Sequence, residues 1–319
     1  MRLRFWGTRG SLPVALTAAE VREKVVGALL AARGRSLETP GQIRAFVEDQ
    51  LPFSVGGTFG GHSPCVQIDT GASDEYLLCD AGSGIRPFGQ QTLRERKGRP
   101  GTYHVLVSHM HWDHIMGFPF FTPAYIPGNT VHVYGCHAGL EGAFRRQQDE
   151  PSFPVPLSVL KSDIRFTRLV PGESCTIAGC TVVPRLQHHG GDSYGYRIEH
   201  GGKCVVYTTD TEHKMDQLAQ TQAFIEFFRE ADAVVFDSMY SLAEAMSVKE
   251  DWGHSSNVVG VELCQLAKAK RLCLFHHEPV FGDERLEEIL AETRRFEEIT
   301  RDGHTVEVLS AYDGLELEI

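Results

Sequence analysis

Six consecutive residues constrain this chain more than any other stretch: His109-Met110-His111-Trp112-Asp113-His114. They follow directly on an apolar, β-like segment, Tyr103 to Val107, and Gly117 lies just beyond them. Three imidazoles and a carboxylate in one turn are costly unless something uses them. Neutral imidazole and carboxylate are good donors to zinc and similar divalent metals. In a turn at a strand end, His109 and His111 can point one way while Asp113 and His114 point another, which suits two metals rather than one. Further donors stand at the ends of other β-like runs: His188-His189 after Val182-Val183-Pro184, Asp210 after Val205 to Thr209, and His276-His277 after Leu272 to Phe275. Each alone is more often a structural or surface residue. Together they complete a donor set for a two-metal centre, with Asp210 as the natural bridging carboxylate. Asp80, at another strand end, is placed to orient a ligating histidine.

At 319 residues the chain can bury a large core without disulfides. Its eight cysteines (Cys65, Cys79, Cys136, Cys175, Cys180, Cys204, Cys264 and Cys273) form no CxxC pair, and several sit inside apolar runs. They read as buried free thiols, not as a disulfide framework or a zinc knot. The net charge of −11 disfavours long nucleic acid as the main partner, yet leaves room for a small phosphate substrate. No apolar stretch is long enough to span a membrane, and Met1 to Pro13 reads as strand and turn rather than signal peptide. A cytoplasmic setting is expected.

Strands are expected near Arg2–Trp6, then in a series from Cys65 to Tyr207. Helices are expected at Thr221–Glu230, Ser256–Ala269 and Asp283–Thr300. In the last of these Leu286, Ile289, Leu290, Thr293 and Phe296 share one face. Near the N-terminus, Thr17 with Glu20 and Thr39 with Gln42 form capping boxes. Val21, Val25, Val26, Leu29 and Leu30 follow the first at helical spacing, and Ile43, Phe46 and Val47 follow the second. Strands in runs, punctuated by a few helices, predict an α/β (α+β) fold of stacked mixed sheets with helices outside. No linker or repeat divides the chain, so 1–319 reads as one domain with a helical insertion at about 15–53.

The hexad HMHWDH resembles the H-x-H-x-D-H signature of the metallo-β-lactamase superfamily, and the order His cluster, His, Asp, His agrees with it. The resemblance runs from Gly7-Thr8-Arg9-Gly10-Ser11-Leu12-Pro13 to His276-His277-Glu278-Pro279. It is similar to the phosphodiesterase and ribonuclease Z-like branch in three places: Gly7–Ser11, the segment His189 to Arg197, and Gly253-His254-Ser255-Ser256, where Ser256 replaces Thr. The implied architecture is an αββα sandwich of two mixed sheets flanked by helices, with metals at one rim. Carried over, the resemblance assigns His109, His111 and His189 to one metal, Asp113, His114 and His276 to the other, and Asp210 to both. The spacing to Gly195-Tyr196 favours His189 over His188, although Gly190 stands where the family usually has Pro. The strand-end position favours His276 over His277. The other member of each pair is left to line the cleft or support a ligand. Zinc is the favoured metal, and manganese and iron accept the same donors.

A dinuclear centre of this kind can activate a bridging hydroxide and clamp a phosphoryl oxygen. Asp113 then belongs to the catalytic set as well as to the ligands. A diester also needs its leaving alkoxide protonated. His254, oriented by Asp237 at the end of Ala233 to Phe236, is the candidate general acid. The expected substrate is a small phosphodiester, such as a cyclic nucleotide or cyclic phosphate. Alternatives are ribonuclease Z-like RNA processing, or thioester, lactone or β-lactam hydrolysis, which would not need the His254–Asp237 pair. A metal-holding non-enzyme sits poorly with a complete donor set. Trp112, Phe118, Phe120, Phe121, Tyr125 and Tyr194 are near enough to stack a base, although most are expected in the core. The basic runs Arg94, Arg96, Lys97, Arg99 and Arg145-Arg146 read as solvated faces. By resemblance the chain forms a homodimer.

Overall fold

The computed structural model describes residues 1–72, 74–213, 217–240 and 253–319. Strands β1 (Arg2–Gly7), β2 (Cys65–Asp69), β3 (Glu75–Cys79), β4 (Thr102–Leu106), β5 (Thr130–Gly135) and β6 (Asp163–Arg168) lie side by side in chain order. A second sheet holds β7 (Cys175–Ile177), β8 (Cys180–Gln187), β9 (Ser193–His200), β10 (Lys203–Thr208), β11 (Ala233–Asp237), β12 (Arg271–Phe275) and β13 (Glu307–Ser310), again in chain order. The last strand, β14 (Glu316–Glu318), returns to pair outside β1, so both sheets have seven strands. Each sheet runs antiparallel over its first four strands and parallel over its last four, β14 counting first in its sheet.

Strand alternation divides the core into three layers. On β11, Ala233 and Val235 face the other sheet, while Val234 and Phe236 face the helices outside. The layer between the sheets takes Phe5, Val66, Leu106, Tyr196, Tyr207 and Phe275. Helices Ile85–Arg96 and Leu140–Gln148 cover the first sheet through Phe88 and Phe144. Helices Leu218–Phe228, Asn257–Leu266 and Asp283–Thr300 cover the second through Phe228, Val261 and Leu286. Each of these fully enclosed side chains is worth about 1.5–3 kcal/mol in burial. This is the αββα sandwich expected. Helix Ile85–Arg96 is hard to read locally because Pro87 and Gly89 interrupt its pattern. Pro87 is tolerated in the first turn, where its missing N–H leaves no bond unmade.

All eight cysteines are free, and Cys175 alone is only half-buried. No helix among the described residues is long and apolar enough to cross a membrane. The N-terminal helices Ala18–Ala31 and Pro40–Asp49 begin at Thr17 and Thr39 with both capping boxes closed. The apolar spacing of the first would suggest a buried face, and the structure differs. None of its residues is buried, and Val21, Val25, Val26, Leu29 and Leu30 are largely exposed. It is tethered instead through Lys24, whose Nζ lies 2.6 Å from Asp283 Oδ2 and donates to the Gly57 carbonyl at 2.9 Å. The basic run near residue 96 is also not uniformly solvated: Arg96 is buried and donates to the Arg99 carbonyl at 3.0 Å.

Candidate metal centre

Every donor expected from the sequence sits at the C-terminal end of a strand, and all of those ends lie on one rim. Asp80 follows β3, the hexad follows β4, His189 follows β8, Asp210 follows β10 and His276 follows β12. Asp80, Asp210 and His276 have positive φ, at 62°, 46° and 60°. The left-handed turn swings each side chain back across the strand end instead of onward along the loop. Asp and His tolerate that region better than most residues, though still at some cost.

Two groups result. His109, His111, His189 and Asp210 offer donor atoms that lie within 4.8 Å of one another, as do Asp113, His114, Asp210 and His276. Asp210 belongs to both, and its two oxygens divide the work. Oδ2 lies 3.6 Å from His109 Nε2 and 3.7 Å from His189 Nε2. Oδ1 lies 3.2 Å from His114 Nε2 and 3.2 Å from His276 Nε2. Asp113 Oδ2 is 3.1 Å from His114 Nε2 and 3.2 Å from His276 Nε2.

The donor chemistry fits divalent cations. His109 Nε2 is buried and makes no hydrogen bond among the described residues, and His114 Nε2 faces only the carboxylates of Asp113 and Asp210. The opposite ring atoms are committed elsewhere: His114 Nδ1 donates to Asp80 Oδ2 at 2.8 Å, and His189 Nδ1 to the Gly253 carbonyl at 2.8 Å. Each of those bonds fixes the tautomer that leaves Nε2 free to ligate. Burial lowers the pKa of His109, His111 and His189 from the usual imidazole value, which favours the neutral ligating form. Burial acts the same way on His114, but Asp113, Asp210 and Asp80 outweigh it and raise its pKa well above normal. Burial opposes ionisation of Asp113 and Asp210 as well, yet the histidines hold both carboxyls well below the usual range.

The paired histidines separate cleanly. His188 is exposed and, with His189, Glu212 and Gln220, lines a groove beside the donor set. His277 is buried and donates through Nε2 to the Ala311 carbonyl at 2.8 Å. His254 lies against both groups, its ring centre 5.0 Å from that of His189 and 5.2 Å from that of His276. Its Nδ1 donates to the fully buried Asp237 Oδ2 at 2.9 Å. Burial alone would lower the His254 pKa; Asp237, with Asp210 and Asp113, reverses this and lifts it to about 9. Cations in the adjacent groups would bring it back toward neutrality.

Some supports were not legible in the sequence. Ser11, at φ 53°, donates its backbone N–H to Asp113 Oδ2 at 2.9 Å. A Cβ at Gly10 would stand 2.6 Å from the His276 ring, and one at Gly253 (φ 81°) 2.5 Å from His189 Nδ1. Tyr207, from the other sheet, donates to Asp80 Oδ2 at 2.7 Å. A backbone amide leaves no mark in side-chain spacing. The glycine-rich turn at Gly7–Gly10 is the one local signal for the first two.

The family profile of the beta-lactamase superfamily domain matches residues 75–277, which carry the hexad, His189, Asp210 and His276. The chain belongs to the beta-lactamase superfamily. Among relatives, a protein named Ribonuclease Z from Acaryochloris marina is 24% identical over 269 residues, covering 68% of this chain and 82% of that protein. The uncharacterized protein ML1173 of Mycobacterium leprae is 27% identical over 168 residues, covering 52% of this chain and 55% of that one. Among solved structures, the metallo-beta-lactamase fold protein YhfI from Bacillus subtilis superposes with a TM-score of 0.66 at 18% identity, covering 100% of this chain and 98% of that one. A diphosphatase from the PhnP family superposes at 0.59 and 18% identity, covering 100% and 97%. As a superfamily member of this fold, the chain is a hydrolase with a His/Asp cluster able to bind metal.

Proposed function

We propose that this chain holds two divalent cations, zinc by preference, and hydrolyses a small phosphodiester such as a cyclic nucleotide or cyclic phosphate. His109, His111 and His189 would hold one cation, Asp113, His114 and His276 the other, and Asp210 both. The cations would supply Lewis-acid stabilisation of charge developing on the phosphoryl group and a water of lowered pKa. Asp113 is held in the donor set by the Ser11 amide, which donates to its Oδ2 at 2.9 Å. His254 Nε2 gives its proton to the departing alkoxide, and Asp237 keeps Nδ1 protonated and the ring in place.

The observation that carries this reading is the His254–Asp237 pair packed against both donor groups. A positioned acid serves a phosphodiester, whose alkoxide leaving group needs a proton, whereas the thiolate of a thioester leaves without one. The named activities of the relatives, ribonuclease Z and diphosphatase, are cleavages at phosphorus and agree. The net charge of −11 favours a small substrate over a long RNA.

The test is elemental analysis of the purified protein alongside turnover of bis(p-nitrophenyl) phosphate, a cyclic-nucleotide panel and a precursor tRNA. About two cations per chain with chelator-sensitive diester cleavage is expected. Two cations with turnover of thioesters or lactones alone would overturn the substrate class. Processing of the tRNA with no cleavage of the small diesters would favour the nuclease. No bound metal after reconstitution would refute the ligand assignment.

A further inference from the structure

Of the aromatics named near the site, Phe118, Phe121 and Tyr194 are buried and Tyr125 is half-buried. Trp112 and Phe120 are not: they are 71% and 55% exposed. They do not stand singly. With Met110, Met116, Phe153 and Arg146 they line one groove of about 360 Å³. Phe120 meets Phe153 edge to face, with ring centres 5.5 Å apart and planes at 86°. Met110 lies between His109 and His111 in the chain, and Trp112 between His111 and Asp113. The turn that carries these donors therefore builds one side of the groove. Arg146 is exposed, and no carboxylate pairs with its guanidinium among the described residues, whereas Arg145 beside it is held by Glu141.

Resting on the phosphodiesterase reading, we propose that this groove takes the nucleobase of a nucleotide substrate, with Trp112 and Phe120 offering ring faces and Arg146 a cation at the rim. A phosphoryl group at the donor set must project its organic part onto a neighbouring surface, and the turn that carries the donors supplies Met110 and Trp112 to this apolar groove. Flat rings and polarisable thioethers favour a flat, polarisable occupant. The volume lies at the small end of ligand pockets, which suits one base rather than a strand. An arginine at the rim supports a base by stacking its guanidinium on the ring face. The substrate class narrows accordingly, from cyclic phosphates in general to those bearing a base.

The test compares two diesters on the metal-loaded protein: adenosine 3′,5′-cyclic monophosphate and a ribose cyclic phosphate that lacks a base. Stacking of a base on an aromatic side chain predicts that Trp112→Ala or Phe120→Ala lowers the ratio of kcat/KM for the first over the second by about 5- to 150-fold, chiefly through KM. Trp112→Phe should restore most of the ratio. An unchanged ratio in both alanine variants overturns the proposal, as does a wild type that prefers the base-free diester. If the wild type cleaves neither, the phosphodiesterase reading fails by itself, and the groove is then judged by binding. Adenosine monophosphate should quench the fluorescence that distinguishes wild type from Trp112→Phe. No quenching at millimolar nucleotide overturns the groove as a base site.

Discussion

Asp80→Asn tests how firmly the centre depends on a carboxylate outside the donor set. Asp80 is fully buried and accepts four hydrogen bonds. Oδ1 takes the Ser108 backbone N–H at 2.7 Å. Oδ2 takes Ser108 Oγ at 2.8 Å, His114 Nδ1 at 2.8 Å and Tyr207 Oη at 2.7 Å. An amide keeps the shape but presents an NH2 group on one side. Turned toward Ser108 N–H, it sets donor against donor. Turned the other way, it faces the two hydroxyls, which can rotate to accept, and His114, which can accept only by moving its proton to Nε2. That proton would occupy the lone pair aimed at the metal. One of these costs is unavoidable. Charged hydrogen bonds contribute roughly 1.5–3 kcal/mol each, and an unpaired buried donor costs about 1–3 kcal/mol, so a loss of about 3–5 kcal/mol in the metal-free protein is expected. Metal affinity at the site of Asp113, His114 and His276 should fall about 10- to 100-fold. Urea unfolding of the metal-free protein gives the first quantity, and competition with a chromophoric chelator the second. Tyr207→Phe removes one donor without touching His114; it should lose about 1–2 kcal/mol and keep its metal. An Asp80→Asn protein within about 1 kcal/mol of wild type, with unchanged metal affinity, would refute the reasoning.

Three further outcomes are expected. His254→Ala should retain its full metal content by elemental analysis while kcat falls by about 10²–10⁴-fold; full occupancy with unchanged turnover would remove His254 from the chemistry. Gly10→Ala and Gly253→Ala should weaken different halves of the centre, because the added carbons press on His276 and His189 respectively; metal titration of the two variants should show one weakened class of site in each. The ring of His213 stacks 5.4 Å from that of Phe236, and loss of hydration pushes its pKa down to about 3. Below the ordinary value of 6.5 the unfolded chain takes up a proton that the folded chain does not, so this residue's contribution to stability falls as pH drops from 6.5 toward 3. The stability difference between wild type and His213→Phe should shift against wild type by about 1.4 kcal/mol per pH unit in that window; a flat difference would show that the ring is hydrated.

The clustering of candidate donors was legible because His and Asp side chains at successive strand ends are conspicuous against apolar runs. The spacing to Gly195-Tyr196 favours His189 over His188 and the strand-end position favours His276 over His277; in the structure His277 is bonded to the Ala311 carbonyl, and His188 is exposed in a groove that His189 also lines. Less legible were contacts set by the stacking of one sheet on the other. Tyr207 reaches Asp80 across 127 positions of chain, and Ser11 reaches Asp113 with a backbone amide. The face of Val21, Val25 and Leu29 shows the opposite limit: periodicity identifies a helix, but not whether anything covers it.

The left-handed backbone at Asp80, Asp210 and His276 carries a consequence for selection. Each such residue costs on the order of 1–3 kcal/mol that glycine would not incur, against a total stability of about 5–15 kcal/mol. At Asp80 the four hydrogen bonds outweigh that strain, so laboratory evolution that screens this protein for heat resistance alone will find glycine among its gains only at Asp210 and His276, where each gain removes a donor. Thermostable descendants that remain active should owe their improvement to other parts of the molecule. Those that lose activity should show their first substitutions here.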